Sequence, residues 1–504
     1  MLAQDIPDSV TVAAGKSPQP LALVIGRAWE ATLSLRHDEA SGLVALAEST
    51  VAELAPEVSR RNREQIELLR AVGVALRDEG YNALSLALSC TRQGWPRSVT
   101  GVASTLCRFG YWKLGDVKSV YAIARRPAGV AIRRRDVLAA IYDLSIEAAI
   151  DIDRLRFPTA RRLATDALTL AEERFGHNSA VAALPASLLA QIEYEEGRFD
   201  QAETLLDNRL PVIAAAGTVE CAIRAYAVLA RIAARRGLLF YAMIILQEAE
   251  VLGERRGWPR LVAASLAERL DLILQHSRPA EAQPFAERLA LLAERRASRD
   301  GSVQREIERY AALGRCRIDL AQDPSRAVVA ALRQLEYEAL SRKNLYLRVQ
   351  IGLSLVDALM ALDEEDEAIA ILTDALELGA IAGLCSSFLE GGARLCDALR
   401  RFHGLDHRVD DGQREMLPYV ESLLTQFGAR RPAAGQSFRL PSMLTERERD
   451  IVRLIGLGQS NKGIAKALEI APETVKSHIK SIFFKLGAGT RAEAVAKAQG
   501  LGLI

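Results

Sequence analysis

The chain offers little to a metal ion. Its six cysteines, Cys90, Cys107, Cys221, Cys316, Cys385 and Cys396, are scattered, none forms a C-x-x-C pair, and no histidine cluster accompanies them. Structural zinc needs four such ligands at close spacing, so the cysteines read as free thiols buried on helix faces in a reducing compartment. A long apolar run is also missing. The longest nearly uncharged stretch, Gly237 to Leu246, is far too short to span a bilayer. Met1 to Pro20 carry Asp5 and Asp8 and no basic start before an apolar core, so no secretory signal is read there. A cytoplasmic protein with no membrane partner is expected. No stretch alternates apolar with polar residues, so no strands are expected, and a phospho-acceptor receiver built on alternating strands and helices is excluded. No nucleophile–base pair, metal cluster or carboxylate dyad appears, and neither an enzyme nor a cofactor is expected.

What is present favours helix. Aromatics supply only 5% of the residues, while Ala, Leu, Arg and Glu dominate. At 504 residues the chain is too long for one core, so two or more domains are expected. The net charge is only +1, but it is unevenly spread. Leu440 to Ile504 hold ten Lys/Arg against six Asp/Glu, a net +4, leaving −3 for the rest. A basic end on a neutral body points to a polyanion at that end.

The first 430 or so residues repeat. Leu189-Ala190, Gly197 and Ala202 return at the same offsets as Leu229-Ala230, Gly237 and Ala242. The last position recurs at Ala40, Ala83, Val120, Ala160, Ala282, Ala327 and Ala368, in steps of 37 to 45 residues. A helical pattern with a period near 40 means stacked helix pairs. Small residues let the two helices of a pair approach closely, and Gly197 and Gly237 end the first helix in a left-handed cap. Ala202, Leu205, Leu206 and Leu210 follow the spacing of one buried stripe on the second helix. This arrangement resembles a degenerate tetratricopeptide repeat, as in the sensor regions of MalT-like activators. The aromatic expected in the first helix is mostly absent, with Glu193 in its place.

Residues 1–20 are expected to be a disordered tail and 21–427 the repeat domain. Gly428 to Pro441, with Pro432, Gly435 and three arginines, reads as a linker. A second unit, 442–504, follows. Thr445 and Glu448 form a capping box before a helix with Ile451, Leu454 and Ile455 on its buried side. Gly456-Leu457-Gly458 closes it, and Ser460-Asn461 starts a second helix carrying Ile464, Ala465 and Leu468. After a short turn, Pro472 opens a third helix whose Val475, Ile479, Ile482 and Leu486 face the core. A fourth begins near Thr490-Arg491. Two short helices, a tight turn and a longer helix with basic residues on its free face describe a helix-turn-helix.

Leu444 to Leu503 resemble the LuxR/GerE DNA-binding family. The run reads L-T-x-R-E-R from Leu444, G-x-S-N-K from Gly458, I-A at Ile464, T-V-K-x-H from Thr474, K-L-G from Lys485 and R-x-E-A from Arg491. Ala471 departs from the Ser or Thr cap common in the family, at a cost to the third helix of about 1 kcal/mol. Ala488-Gly489 makes a looser turn than usual. The expected fold is therefore all-α: a helical-repeat (TPR-like) solenoid followed by a four-helix LuxR-type helix-turn-helix domain.

Lys476 and Lys480 lie four apart on the free face of the third helix, with Ser477 beside them. The resemblance implies that this face enters the major groove, making Lys476, Ser477 and Lys480 the base-edge candidates. Asn461 and Thr474 sit at or near helix starts, where phosphates are commonly held, and Lys462, Lys485 and Arg491 add sequence-independent attraction. His478 is read as a packing residue, and Phe483-Phe484 as core or dimer packing. Gly15-Lys16-Ser17 lacks the earlier glycine and the strand of a phosphate-binding loop. MalT-like activators carry an NTPase domain ahead of their repeats, for which this sequence has no room. The α/β fold that senses acyl-homoserine lactones in quorum-sensing relatives would need strands.

The resemblance implies a transcription regulator, an activator by analogy, with double-stranded DNA and RNA polymerase as partners. It would work as a homodimer paired partly through Ala492, Val495, Ala496 and Gln499, with a small-molecule inducer or protein partner at the repeats. The alternative is a TPR-like interaction scaffold with secondary DNA binding. An open groove lined by Asn, Lys or Arg would favour a peptide; inward polar groups among apolar walls would favour a small ligand.

Overall fold

A computed structural model describes residues 19–33, 36–52, 56–91, 97–123, 134–275, 279–404, 411–429, 446–468, 470–486, 488 and 490–500. Among them no strand is found. The expected tail lies mostly outside the described residues, although its end is already helical: Gln19–Leu33 begins the first helix and buries Leu21. Helix Asp411–Ala429 likewise runs through Gly428, where the linker was expected to start, because Val420 and Leu423 are buried along it. Residues 430–445 are outside the described set.

Nine helix pairs follow one another among the described residues, from Gln19–Leu33 with His37–Ala52 to Leu345–Ala361 with Glu365–Ala382. One position explains the period. The fourth residue of each second helix is Ala40, Ala83, Val120, Ala160, Ala202, Ala242, Ala282, Val329 or Ala368. All nine are buried. Ala327 was expected in this set and is exposed. The preceding helix, Gly301–Gln322, is 22 residues long, about one turn more than most, so Val329 moves into the site.

The turns between paired helices share one geometry. Gly197 and Gly237 both have φ of +80°. The N–H of Gly197 donates to the Tyr194 carbonyl (3.0 Å) and that of Arg198 to Glu193 (2.8 Å), and the Gly237 turn repeats both bonds. This is the six-to-one, five-to-two pattern that satisfies the last carbonyls of a helix. Asp78, Leu155 and Asp363 occupy the same left-handed position without glycine's freedom.

Two details differ from the sequence reading. The second helix of the fifth pair stops at Leu206, and Leu210 begins a separate helix, Leu210–Ala216. Asn208, at φ +57°, breaks the path between them. Glu193, in the place of the missing aromatic, is buried and accepts from the guanidinium groups of Arg161 and Arg198. All six cysteines are buried as free thiols.

Later pairs return against earlier ones. Arg260 donates to both Asp78 oxygens (2.8 and 2.7 Å), 182 residues away, and reaches Glu220 (2.6 Å) and Glu306 (3.0 Å). Lys113 bridges Glu220 (3.1 Å) and Glu306 (2.7 Å). A second tie joins the fifth pair to residues beyond the ninth. Ser386 donates to the Tyr194 carbonyl (2.5 Å), and Ser387 Oγ to Glu195 Oε2 (2.9 Å). Tyr346 also donates to Glu195 (2.5 Å), and Tyr194 donates to Glu390. Burial raises the carboxyl of Glu220, but Arg260, Lys113 and Arg224 outweigh it and hold it well below its ordinary value.

Candidate nucleic-acid interface

Helices Glu446–Gly456, Asn461–Ala467, Pro472–Leu486 and Arg491–Gly500 build the C-terminal module. Its core is aliphatic: Ile451, Ile455, Ile464, Val475 and Ile482, with Ala494 and Ala498 from the fourth helix. Leu454, Leu468, Ile479 and Phe483 pack at its margin. Val452, not anticipated from the spacing, is fully buried as well. Thr445, half of the expected capping box, lies outside the described residues, while Glu448 is buried.

The turn of the motif is fixed at both ends. Gly458 takes φ +76°, its N–H donating to Ile455 (2.9 Å) while that of Gln459 donates to Leu454 (3.0 Å). The Ser460 hydroxyl then accepts from the Gly463 N–H (3.2 Å), capping the second helix. Arg447, which the sequence reading gave no role, donates to the Leu468 carbonyl at the far end of that helix. Only its place in the L-T-x-R-E-R run signalled it.

Pro472 opens the third helix, and the Ala471 carbonyl accepts from the Val475 N–H at 3.2 Å. Burial of Val475 and Ile482 sets the rotation of this helix, leaving Glu473, Thr474 and Lys476 exposed. Lys476 Nζ lies 2.9 and 3.2 Å from the two Glu473 oxygens. Such an exposed pair is worth at most about 1 kcal/mol, so a nucleic acid can take the lysine over cheaply. Ser477, Lys480 and Lys485 belong to the same helix, but their side chains lie outside the described residues, as does that of Phe484. His478 is half-buried, in keeping with packing.

Asn461 and Arg491 are brought together. The Arg491 guanidinium donates to the Gln459 carbonyl (2.9 Å) and to Asn461 Oδ1. Arg491, expected to add sequence-independent attraction, also clamps the start of the fourth helix to the start of the second. Lys462, one residue on, is exposed. On the fourth helix Ala492, Ala496 and Gln499 are exposed, whereas Val495 is half-buried against the module's own core and beside Gly456.

A compact helical core displays the outward Glu473, Thr474 and Lys476 of the third helix beside the Ser460-capped start of the second, an arrangement of the helix-turn-helix type. Residues 442–498 match the family of bacterial regulatory proteins of the luxR type, and residues 103–404 match the MalT-like TPR region. The chain belongs to the MalT-like repeat family. It carries these helical repeats ahead of a luxR-type domain. It is 24% identical to the HTH-type transcriptional regulator MalT of Vibrio cholerae over 94% of its length, and 24% identical to that of Vibrio campbellii, again over 94%. A third similar protein, from Vibrio parahaemolyticus, is 30% identical over 34% of the chain and 20% of its own length. The chain spans about half the length, 53%, of the first two relatives. Among the described residues no helix of this MalT-like chain is long and apolar enough to cross a membrane.

Proposed function

We propose that the chain is a one-component activator whose repeats receive a signal and whose C-terminal module reads an operator as a dimer, recruiting RNA polymerase. The observation that carries it is the third helix of the module, seated on a closed apolar core with Thr474 and Lys476 outward. Lys476, Ser477 and Lys480 read base edges in this proposal. Thr474, with the second-helix start at Asn461 and Lys462, meets phosphate, and Lys485 adds attraction. Arg491 acts through Asn461 by holding that helix start in place. Ala492, Ala496 and Gln499 supply a small dimer contact, weak enough that pairing depends on the repeats.

The ties from Arg260 to Asp78 and from Glu195 to Tyr346 and Ser387 fill the contacts between distant repeats with buried protein groups. That supports a buried small ligand over an extended peptide as the signal. The test is genome-wide mapping of bound DNA with the full chain, followed by anisotropy titrations of the recovered operator against a scrambled duplex. Equal affinity for both duplexes sinks the operator-reading proposal and favours the interaction scaffold.

A further inference from the structure

An apolar space lies among the early repeats. A cavity of about 120 Å³ opens between helices Gln19–Leu33, Pro56–Leu76, Arg97–Leu114, Arg134–Asp153 and Val219–Arg235. Its walls are apolar and include Trp29, Leu76, Phe109, Trp112 and Leu138. The hydroxyls of Thr32, Thr105 and Ser145 also line it, but each donates to a carbonyl of its own helix, at Ala28, Gly101 and Ile141. At one edge stand Asp78 and Glu220, whose carboxylates are already held by Arg260. Water gains little in such a space, because it needs two to four polar partners.

One polar group is left over. Tyr142 lines the cavity, and its hydroxyl has no hydrogen-bond partner among the described residues. A half-buried phenol that faces apolar walls without a partner forgoes an interaction that a ligand can restore. An apolar cavity of roughly 150 Å³ in another protein stays dry and binds benzene, so the space here suits a single ring.

We propose that this cavity binds a small, uncharged, single-ring compound carrying one polar substituent that bonds to the Tyr142 hydroxyl. The proposal rests on the reading of the repeats as a sensor and gives that sensor a ligand class. The site also adjoins the node where Arg260 and Lys113 tie early repeats to late ones. A ring that wedges the walls apart therefore acts on contacts between residues more than 100 positions distant in the chain.

Phenol and benzene are the probes, titrated into the full chain. Trp29 and Trp112 are two of its four tryptophans and both line the cavity, so intrinsic fluorescence reports occupancy alongside calorimetry. The expected result is saturable binding of one phenol per chain with Kd on the order of 0.1–1 mM. Ala75→Leu, which fills the space from the wall, should weaken both probes at least tenfold. Tyr142→Phe should weaken phenol about fivefold or more and leave benzene within twofold. No saturable binding of either probe, or binding untouched by both substitutions, overturns the proposal. Operator affinity measured on the same samples keeps the two readings separate. Phenol bound in the cavity with operator affinity unchanged supports the site and counts against sensing through it.

Discussion

The repeat region and the C-terminal module handle their cations in opposite ways. In the repeats Arg108, Lys113, Arg209 and Arg260 are almost wholly buried, each met by one or more carboxylates. In the module no lysine or arginine with a described side chain is buried, and the core is aliphatic. The repeats use charge to fix which distant helices meet, since a buried ion left without its partner is heavily penalised. The module leaves Arg453, Lys462, Lys466 and Lys476 exposed, where they are available to a polyanion.

The sharpest way to break the contrast is Arg260→Met, which strands Asp78 and leaves Glu220 and Glu306 to Lys113. It should cost the repeats about 3–5 kcal/mol, seen as a lower unfolding midpoint in calorimetry, while a separate transition of the module stays put. In the module the counterpart is Ile464→Ala at a fully buried site. A loss of about 2–5 kcal/mol is expected, abolishing DNA binding with the repeat transition unchanged. If either substitution shifts both transitions equally, the two regions are one cooperative unit and the comparison fails.

Acid gives the next test. Burial alone would raise the carboxyls of Glu220 and Glu306, but Arg260 and Lys113 outweigh it and hold both below the ordinary value. Their stabilisation is therefore complete above the unfolded value near pH 4.5 and is lost as pH falls through the folded values. Asp78 works the other way, because burial outweighs Arg260 and raises it. Within this cluster two carboxyls stand against one, whereas Asp143, Asp153, Glu195, Asp271 and Asp357 are raised by burial as Asp78 is. Removing the cluster's cation in Arg260→Met should therefore flatten whatever part of the repeat midpoint falls with pH below about 4.5, as followed by calorimetry.

Smaller effects sharpen the module's side. Lys476→Ala or Lys480→Ala should cost about 1–3 kcal/mol on the operator and relax sequence preference. Lys462→Ala should weaken specific and non-specific duplexes alike and flatten the salt dependence by about one unit. Sequence-independent losses at all three would place the recognition face elsewhere. An effect of opposite sign is expected at Glu248, whose carboxyl burial pushes up to about 7. Its ionised form is penalised above pH 4.5 and fully so above 7, so Glu248→Gln should raise the repeat midpoint at pH 8 and leave it unchanged near pH 4.

The helix pairs were legible because close helix contact demands a small side chain at one recurring place, and alanine marks it. That signal slipped at Ala327 because it assumed an even period, whereas one long helix moved the site to Val329. The module was legible through its motif and the burial pattern of Ile451, Ile464, Val475 and Ile482. Contacts between distant charges were not. Nothing in the sequence around Asp78 or Arg260 names the other. The Arg491–Asn461 clamp escaped for the same reason, since both residues have an ordinary surface role available to them.

The tie between Asp78 and Arg260 also bears on how the chain is made. Stacked repeats can fold from one end as they emerge, each new pair needing only its neighbour. Here Asp78 leaves the ribosome 182 residues before its partner. At about 5–20 residues per second, that is roughly 10–40 seconds of waiting. During that interval the early pairs hold a carboxylate that they cannot bury and an apolar cavity that is not yet closed. Folding of the first repeats therefore waits on synthesis of the seventh pair, and a pause in translation between them lengthens the exposure of Trp29 and Leu76 to whatever chaperone or protease is near.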